Sequence, residues 1–343
     1  MAAPSSVSST TLRLLIDKLE DNSFINHPLF RAIDEAGNII RVTGGQRVEQ
    51  PVILGEQSSG LTQVTNGWEP TSLAFSDPFL TANFEWCDII DHVGLNIVEK
   101  TSNRGELARV NILESKIQNL LINMRQSISK RIFQGPIATT GAAARLTNLQ
   151  TLNGMTTAAS TGWFEGVAQA SQDNVVGGLS KVTYQAQNWY NQFQDAGGTL
   201  TLNDIDTLFI NCMQFNPAGT PPDMLFLSPA CYAAFMKLQQ SQVQYASTGT
   251  ADRDDGMVAS FRNARVYVDN TLGFTAQAPA KPVSGYALTS TQFKVYTDED
   301  AFFEVSDPMR VPGTAVEAWQ VHTRLQLCTG RLACHGVLLD AEA

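Results

Sequence analysis

One stretch of this chain constrains its fold more than any other, because apolar residues recur every three or four positions from Val110 to Ile132. This spacing places them on one face of an α-helix. A helix over 106–133 would be about 40 Å long, longer than most helices of globular proteins. Its other face is charged, which predicts a helix lying across a sheet with one side in water. The apolar positions are Val110, Leu113, Ile117, Leu120, Met124, Ile128 and Ile132.

Charge and cysteine content narrow the classes of function. The 343 residues carry a net charge of -10, which disfavours a protein that binds nucleic-acid phosphates through clustered Lys and Arg. The five cysteines are odd in number and irregularly spaced, so we expect free thiols in a reducing compartment. The N-terminal residues lack the pattern of a signal peptide, and the longest uncharged run is too polar for a bilayer. We therefore expect the protein to stay where it is made.

The start of the chain predicts small elements that need support. Helical spacing predicts short helices at 12–19 and 28–36. The stretch 44–75 predicts a long hairpin whose strands run through Val52 and Val64. Two strands with so few large apolar residues are marginal in isolation. We therefore expect the hairpin to lean on a neighbouring chain.

Helices and strands alternate in the rest of the sequence. Before the long helix, alternation predicts a strand that ends near Thr101. After the helix, a Gly- and Thr-rich stretch predicts a loop through residue 178. Helical spacing at 202–212 is then followed by a short apolar strand at 224–227 and, near the end, a long alternating strand over 319–327. This order predicts an α+β protein.

The sequence contains few signals of catalytic chemistry. Cys328, Cys334 and His335 could be metal ligands, but their spacing matches no zinc motif and strand residues explain them better. The acidic turn after Asp252 resembles a calcium loop, yet Gly256 stands where a ligand belongs. The sequence contains no phosphate-binding glycine loop, Rossmann fingerprint or nucleophile elbow. We predict no catalytic residue, cofactor or metal, although a cytosolic hydrolase with a dispersed site remains an alternative.

Taken in order, these elements resemble the major capsid proteins of tailed bacteriophages, whose Hong Kong-type shell fold is shared with encapsulins. The likeness spans nearly the whole chain, and each motif is short. The motifs are Gly44 to Val48, Phe84 to Trp86, Asn103 to Glu106, Phe133 to Gly135, Leu149 to Gly154, Pro222 to Pro229 and His335 to Leu338. The resemblance implies an N-terminal arm (1–43), an E-loop (44–75), a P-domain (76–179) with a spine helix (106–133), an A-domain (180–290) and return strands to the P-domain (291–343).

The resemblance also implies a function. A protein of this kind is structural and not an enzyme, and it self-assembles into pentamers and hexamers of an icosahedral head that encloses double-stranded DNA. The implied partners are other copies, portal and decoration proteins, a possible separate scaffolding protein, and DNA held without sequence-specific contacts. We expect no membrane partner, assembly in the host cytoplasm and a final location in the virion capsid. An encapsulin-type nanocompartment shell is the alternative.

The hairpin is where contacts between subunits are expected. Some relatives join an E-loop Lys to an Asn of a neighbour, but 44–75 contains no Lys, so that link is not expected here. Trp68 is equally well interpreted as a local packing residue. The candidates for contacts between subunits are Arg47, Glu49, Glu56, Trp68 and Glu69.

Overall fold

The structure, a computed structural model, describes residues 28–55, 68, 78–102, 112–135, 151–153, 162–240, 260–275 and 281–341. The chain forms two compact units, of which the first comprises Met1–Phe24, Ile90–Met124 and Val305–Val321 and the second Ile25–Ile89, Arg125–Glu304 and His322–Ala343. The helix predicted at 12–19 lies outside the described residues. The domain boundaries inferred from the sequence stay a prediction, because compactness does not define roles in a shell.

The described part mixes helices and strands, as the sequence predicts. The helices are α1 (Leu29–Glu35), α2 (Ile97–Ser102), α3 (Ile112–Gln134), α4 (Leu202–Gln214) and α5 (Pro229–Gln240). The strands are β1 (Ile39–Val42), β2 (Arg47–Ile53), β3 (Phe79–Glu85), β4 (Cys87–Asn96), β5 (Thr151–Asn153), β6 (Gly162–Phe164), β7 (Val175–Val176), β8 (Leu179–Ser180), β9 (Gln192–Asp195), β10 (Met224–Leu227), β11 (Ser260–Phe261), β12 (Ala264–Val268), β13 (Val283–Leu288), β14 (Lys294–Asp298), β15 (Glu304–Val305), β16 (Met309–Arg310), β17 (Val316–Cys328) and β18 (Gly336–Leu339).

The long predicted helix is present as α3. It is described from Ile112 and ends at Gln134, whereas 103–111 lies outside the described residues. Gly135 follows with a φ of 78°, and its N–H donates to the Arg131 carbonyl at 2.8 Å. A left-handed glycine in this position ends a helix without steric strain. The buried stripe consists of Leu120, Met124, Ile128 and Ile132.

The strand predicted to end near Thr101 stops earlier. β4 ends at Asn96, and α2 begins at the next residue. The Asn96 side-chain oxygen accepts the N–H of Val98 at 3.0 Å, which caps the first turn of the helix. The alternation of apolar residues continues beyond Asn96, but the Asn96 cap begins a helix there. The strand prediction is therefore wrong for the residues that follow Asn96.

In the second unit, one sheet contains β1, β14 and the C-terminal half of β17. β1 runs parallel to β14, with Ile39 opposite Val295. β14 runs antiparallel to β17, with Lys294 opposite Cys328. The long last strand predicted from the sequence is thus present, since β17 extends over 316–328.

A second sheet of the same unit has the order β11-β12-β10-β13-β18-β9. Helix α4 begins with a capping box in which Thr201 and Asp204 satisfy each other's backbone N–H groups. All four residues of β10 are buried. α4, α5 and this sheet share one apolar core, which includes Leu208, Phe209, Leu225, Phe235, Val266 and Leu338.

Strand β18 lies within 291–343, which the sequence interpretation grouped as strands returning to the P-domain, and that grouping stays a prediction. The strand lies between β13 and β9 in the second sheet, with Val337 opposite Tyr286. A Cβ at Gly336 would lie 2.5 Å from Leu208 Cδ1, so β18 packs directly beneath α4. The chain therefore returns to this core before it ends.

The Gly- and Thr-rich stretch is only partly loop. Within it, β5 and β6 pair in parallel, and Trp163 and Phe164 are fully buried. Their rings contact Phe293 and Tyr286, with centroids 5.4 and 5.3 Å apart, respectively. The loop predicted through residue 178 is wrong for this segment, because aromatic burial outweighs its turn-rich composition.

No helix in the described part of the chain is long and apolar enough to cross a membrane.

Candidate assembly surface

The hairpin predicted at 44–75 appears as a two-stranded ribbon with a different second strand. β2 pairs antiparallel with β3 over seven residues, from Arg47 opposite Glu85 to Ile53 opposite Phe79. The predicted second strand, through Leu61 and Val64, lies outside the described residues. A signal for β3 was available, since Leu80, Ala82 and Phe84 alternate with polar residues, as a strand with one buried face does.

One face of the ribbon belongs to the subunit's own core. Val52 is 6% exposed, and Ala82 and Phe84 are fully buried. The Asn83 N–H donates to the Gly177 carbonyl at 2.8 Å. A Cβ at Gly177, whose φ is 59°, would lie 2.9 Å from the Ala82 Cβ. The base of the ribbon is therefore anchored within one subunit, which the sequence did not predict.

The opposite face is open, and its character changes along its length. At the base, Arg47 and Glu49 form an ion pair at 2.6 Å, with half of each side chain exposed. At the far end, Ile53 and Phe79 lie opposite each other and are 66% and 62% exposed. An exposed ion pair contributes only about 0–1 kcal/mol, whereas burying one large apolar side chain contributes about 1.5–3 kcal/mol. The apolar end is thus the stronger candidate for a contact.

The predicted contact residues are only partly described. Arg47 and Glu49 are brought together, and Trp68 is 94% exposed. Glu56 and Glu69 lie outside the described residues. The sequence did not identify Ile53 and Phe79 as contact residues, because their exposure depends on a strand pairing that spans more than twenty residues.

A buried polar network lies in the segment after β6. The Lys181 side chain is fully buried, and its Nζ donates to the Trp163 carbonyl at 2.5 Å and to Asn191 Oδ1 at 2.9 Å. Desolvation lowers the pKa of Lys181 to about 7, although Glu165 opposes this shift. Burial also raises the pKa of Glu165, whose carboxylate accepts the Asn174 N–H at 2.7 Å. The network ties separate turns together and was not visible from local sequence.

His335, considered above as a metal ligand, is built into the core. Its Nδ1 accepts the Thr289 N–H at 3.1 Å, and its ring lies 5.8 Å from the Trp163 ring. Burial lowers the pKa of His335 to about 3, so the imidazole is neutral near pH 7. Among the residues that the structure describes, no three His, Cys, Asp or Glu side chains are grouped to hold a metal ion. Cys328 and Cys334 are buried free thiols.

Comparison with known proteins identifies the fold. The sequence matches no protein-family profile and no curated protein. Solved structures, however, match over their full length. The capsid of an empty GTA particle superposes with a TM-score of 0.64 at 10% identity, covering 98% of each chain. The cyanophage A-1(L) capsid gives 0.62 at 13% identity, covering 99% of each chain.

An encapsulin structure matches almost as well. The holo-SrpI encapsulin complex from Synechococcus elongatus PCC 7942 gives a TM-score of 0.60 at 11% identity, covering 100% of this chain and 97% of that chain. The chain thus has the α+β fold of shell-forming subunits. This confirms the resemblance predicted from the order of its elements.

Proposed function

We propose that the chain is the major capsid protein of a tailed bacteriophage, which self-assembles into pentamers and hexamers of an icosahedral head enclosing double-stranded DNA. The supporting observation is the full-length match to capsid chains, in which nearly all of both chains superposes. Such coverage is expected when two proteins share the architecture of a whole subunit and not only one domain. The role is structural, and no catalytic residue is assigned.

In this proposal, the predicted regions become parts of the shell subunit. The arm (1–43) and the E-loop (44–75) reach adjacent subunits, and the P-domain (76–179) contains the spine helix. The A-domain (180–290) meets its counterparts at the centre of each pentamer or hexamer. The observed ribbon, long helix α3 and separate second sheet support this assignment. The return strands (291–343) include β17, whereas β18 joins the sheet that contains β10 and β13.

The ribbon supplies one contact between subunits. Its anchored face fixes the direction in which the open face projects, so little conformational entropy is lost when a neighbour binds. Ile53 and Phe79 contribute most of the contact energy, and Arg47 and Glu49 set its orientation. Glu56, Trp68 and Glu69 remain proposed contacts.

Assembly follows from many weak contacts. Each copy carries a net charge of -10, so copies repel at long range and must associate through uncharged or mixed-charge patches. Repetition of the same contacts around a closed particle makes the whole stable although each contact is weak. The same negative charge disfavours binding to DNA phosphates, so the closed shell would retain the enclosed DNA without sequence-specific contacts. Other partners would be portal, decoration and scaffolding proteins, with assembly in the host cytoplasm and a final place in the virion.

An encapsulin-type nanocompartment shell is the second candidate, favoured by the full-length match to an encapsulin. The two candidates predict the same particle but different contents. Particles from the native source should protect DNA from nuclease if the chain is a phage protein. A co-purifying cargo enzyme without protected DNA would favour the encapsulin.

The direct test is expression of the chain, alone and together with its neighbouring genes, followed by size-exclusion chromatography and negative-stain microscopy. We expect closed shells, or free pentamers and hexamers. A cytosolic hydrolase would elute as a small oligomer. Monomers or dimers under every condition, including co-expression, would contradict the proposal.

A further inference from the structure

The segment between β6 and β9 contains a short hairpin whose tip touches the ribbon. β7 and β8 are joined through Gly177 and Gly178, whose φ values of 59° and 77° fit the tight turn of a two-residue hairpin. The Gly177 carbonyl accepts the Asn83 N–H of β3 at 2.8 Å. A Cβ at Gly177 would lie 3.0 Å from Phe84 Cζ. The tip of this hairpin therefore supports the base of the ribbon.

The other end of the hairpin is held by the buried polar network. The Lys181 N–H donates to the Asn174 carbonyl at 3.2 Å and so closes the hairpin. The Lys181 Nζ donates to the Trp163 carbonyl and to Asn191 Oδ1, which both lie outside the hairpin. The Glu165 carboxylate accepts the Asn174 N–H. Both ends of the hairpin are thus fixed by polar contacts with other segments of the same unit.

Apolar contacts hold the hairpin only weakly. Val176 and Leu179 are its buried apolar side chains, whereas Val175 is 45% exposed. Two strands of two residues each are not stable by themselves. Removing one partner of a buried charge pair is strongly destabilising, because the other charge is left without compensation. The position of the hairpin therefore depends on Lys181 and Glu165.

We propose that the hairpin 174–181 is a latch, whose base is held by the Lys181 network and whose tip holds the ribbon. When the network opens, the ribbon loses its anchor while the core around β10 stays folded. Proteins open in cooperative parts of this kind, and the parts with few buried apolar contacts open first. The latch lies within one chain, so it goes beyond the proposed function and does not depend on it.

Hydrogen exchange of the full chain tests whether the ribbon and the network open together. The N–H groups of Asn83 in the ribbon and Asn174 in the latch should share one opening constant. It should be roughly tenfold or more above that of Ser228, whose N–H donates to the Ser284 carbonyl at 2.8 Å in the core. Different opening constants for Asn83 and Asn174 would overturn the proposal, and so would equal constants for Asn83 and Ser228.

The pH dependence of this opening distinguishes a latch from fraying of the ribbon alone. Desolvation lowers the pKa of Lys181 from 10.5 to about 7, and the charges of Glu165 and Asp173 oppose this shift. The open latch exposes Lys181, so the open state binds the proton more readily. After correction for intrinsic exchange, the Asn83 opening constant should therefore rise roughly tenfold or more as the pH falls from about 9 to about 7. A constant that does not change with pH would overturn the proposal, because Lys181 would then stay buried when the ribbon is released.

Two substitutions complete the test. Lys181→Met removes the ammonium, so Asn83 and Asn174 should both exchange roughly tenfold faster or more and lose the pH dependence above pH 7. The matched control is Val266→Ala, which weakens the core beside β10 and should accelerate Ser228 but not Asn83. An unchanged rate for Asn83 in Lys181→Met, or a faster one in Val266→Ala, would contradict the latch. If Lys181→Met does not fold, the pH profile of the parent chain still decides.

Discussion

Replacing the connection between β2 and β3 should separate assembly from folding. The β2–β3 ladder closes where the Leu54 N–H donates to the Pro78 carbonyl at 2.9 Å. Exchanging the connection 55–77 for a four-residue turn keeps the whole ladder and its buried face. Only the connection 55–77 is lost, and with it the proposed contacts of Glu56, Trp68 and Glu69. We expect a folded subunit that fails to close shells.

The effect on stability can be estimated from chain entropy. Shortening a connection from about 23 to about 4 residues lowers the loop-closure cost by about 1.5 kcal/mol, because that cost rises with the logarithm of length. The short exchange should therefore melt no lower than the parent. Replacing 46–71 is a different change, because it removes β2. That larger exchange loses the burial of Val52 and part of the burial of Phe84. Full burial of one such side chain contributes about 1.5–3 kcal/mol to stability.

Urea unfolding followed by circular dichroism measures the stability of both variants, and electron microscopy shows whether they form particles. We expect the short exchange to be stable but deficient in assembly, and the long exchange to be destabilised by several kcal/mol. Normal shells from the short exchange would refute the contacts proposed for Glu56, Trp68 and Glu69. Equal stability of the long exchange and the parent would refute the anchoring of β2.

Three further predictions concern the subunit itself. Burial lowers the pKa of His335 to about 3, so the unfolded chain binds a proton on this imidazole more readily than the folded chain does. The contribution of the neutral, buried imidazole to folding stability is therefore fully present above about pH 6.5 and is lost as the pH falls towards 3. The contribution is on the order of 5 kcal/mol, and urea unfolding across this range should show a flatter acid limb for His335→Gln than for the surface control His322→Gln. A Gly336→Ala variant should lose about 1–3 kcal/mol, since its Cβ would lie 2.5 Å from Leu208 Cδ1, and an unchanged melt would contradict the packing of β18 under α4. Boiled, reduced particles should give a single band near 37.3 kDa, because 44–75 contains no Lys, and a ladder of multimers would disprove this.

Elements specified by nearby residues could be predicted from the sequence. The apolar spacing of α3 and the four apolar residues of β10 are local signals, and both elements are present. The helix predicted at 202–212 matches α4, whose cap is formed by Thr201 and Asp204. In each case, residues within a few positions decide the conformation, so no knowledge of the tertiary fold is needed.

Features that depend on distant partners could not be predicted. β18 is recognisable as an apolar strand, but no local signal tells which sheet it joins. Lys181 looks like a surface residue, and its burial becomes possible only because Trp163 and Asn191 supply acceptors. The exposed pair Ile53 and Phe79 likewise arises from a long-range register. The candidate site was therefore predicted as a region, and its residues only in part.

The proposed assembly is tested most directly by a cryo-electron microscopy reconstruction of purified particles at a resolution that traces the backbone. We expect a closed shell of pentamers and hexamers. In it, the base of each β2–β3 ribbon packs on its own subunit, while Ile53 and Phe79 contact another copy. A closed shell in which these two side chains face solvent, or fold back onto their own subunit, would contradict the proposed assembly.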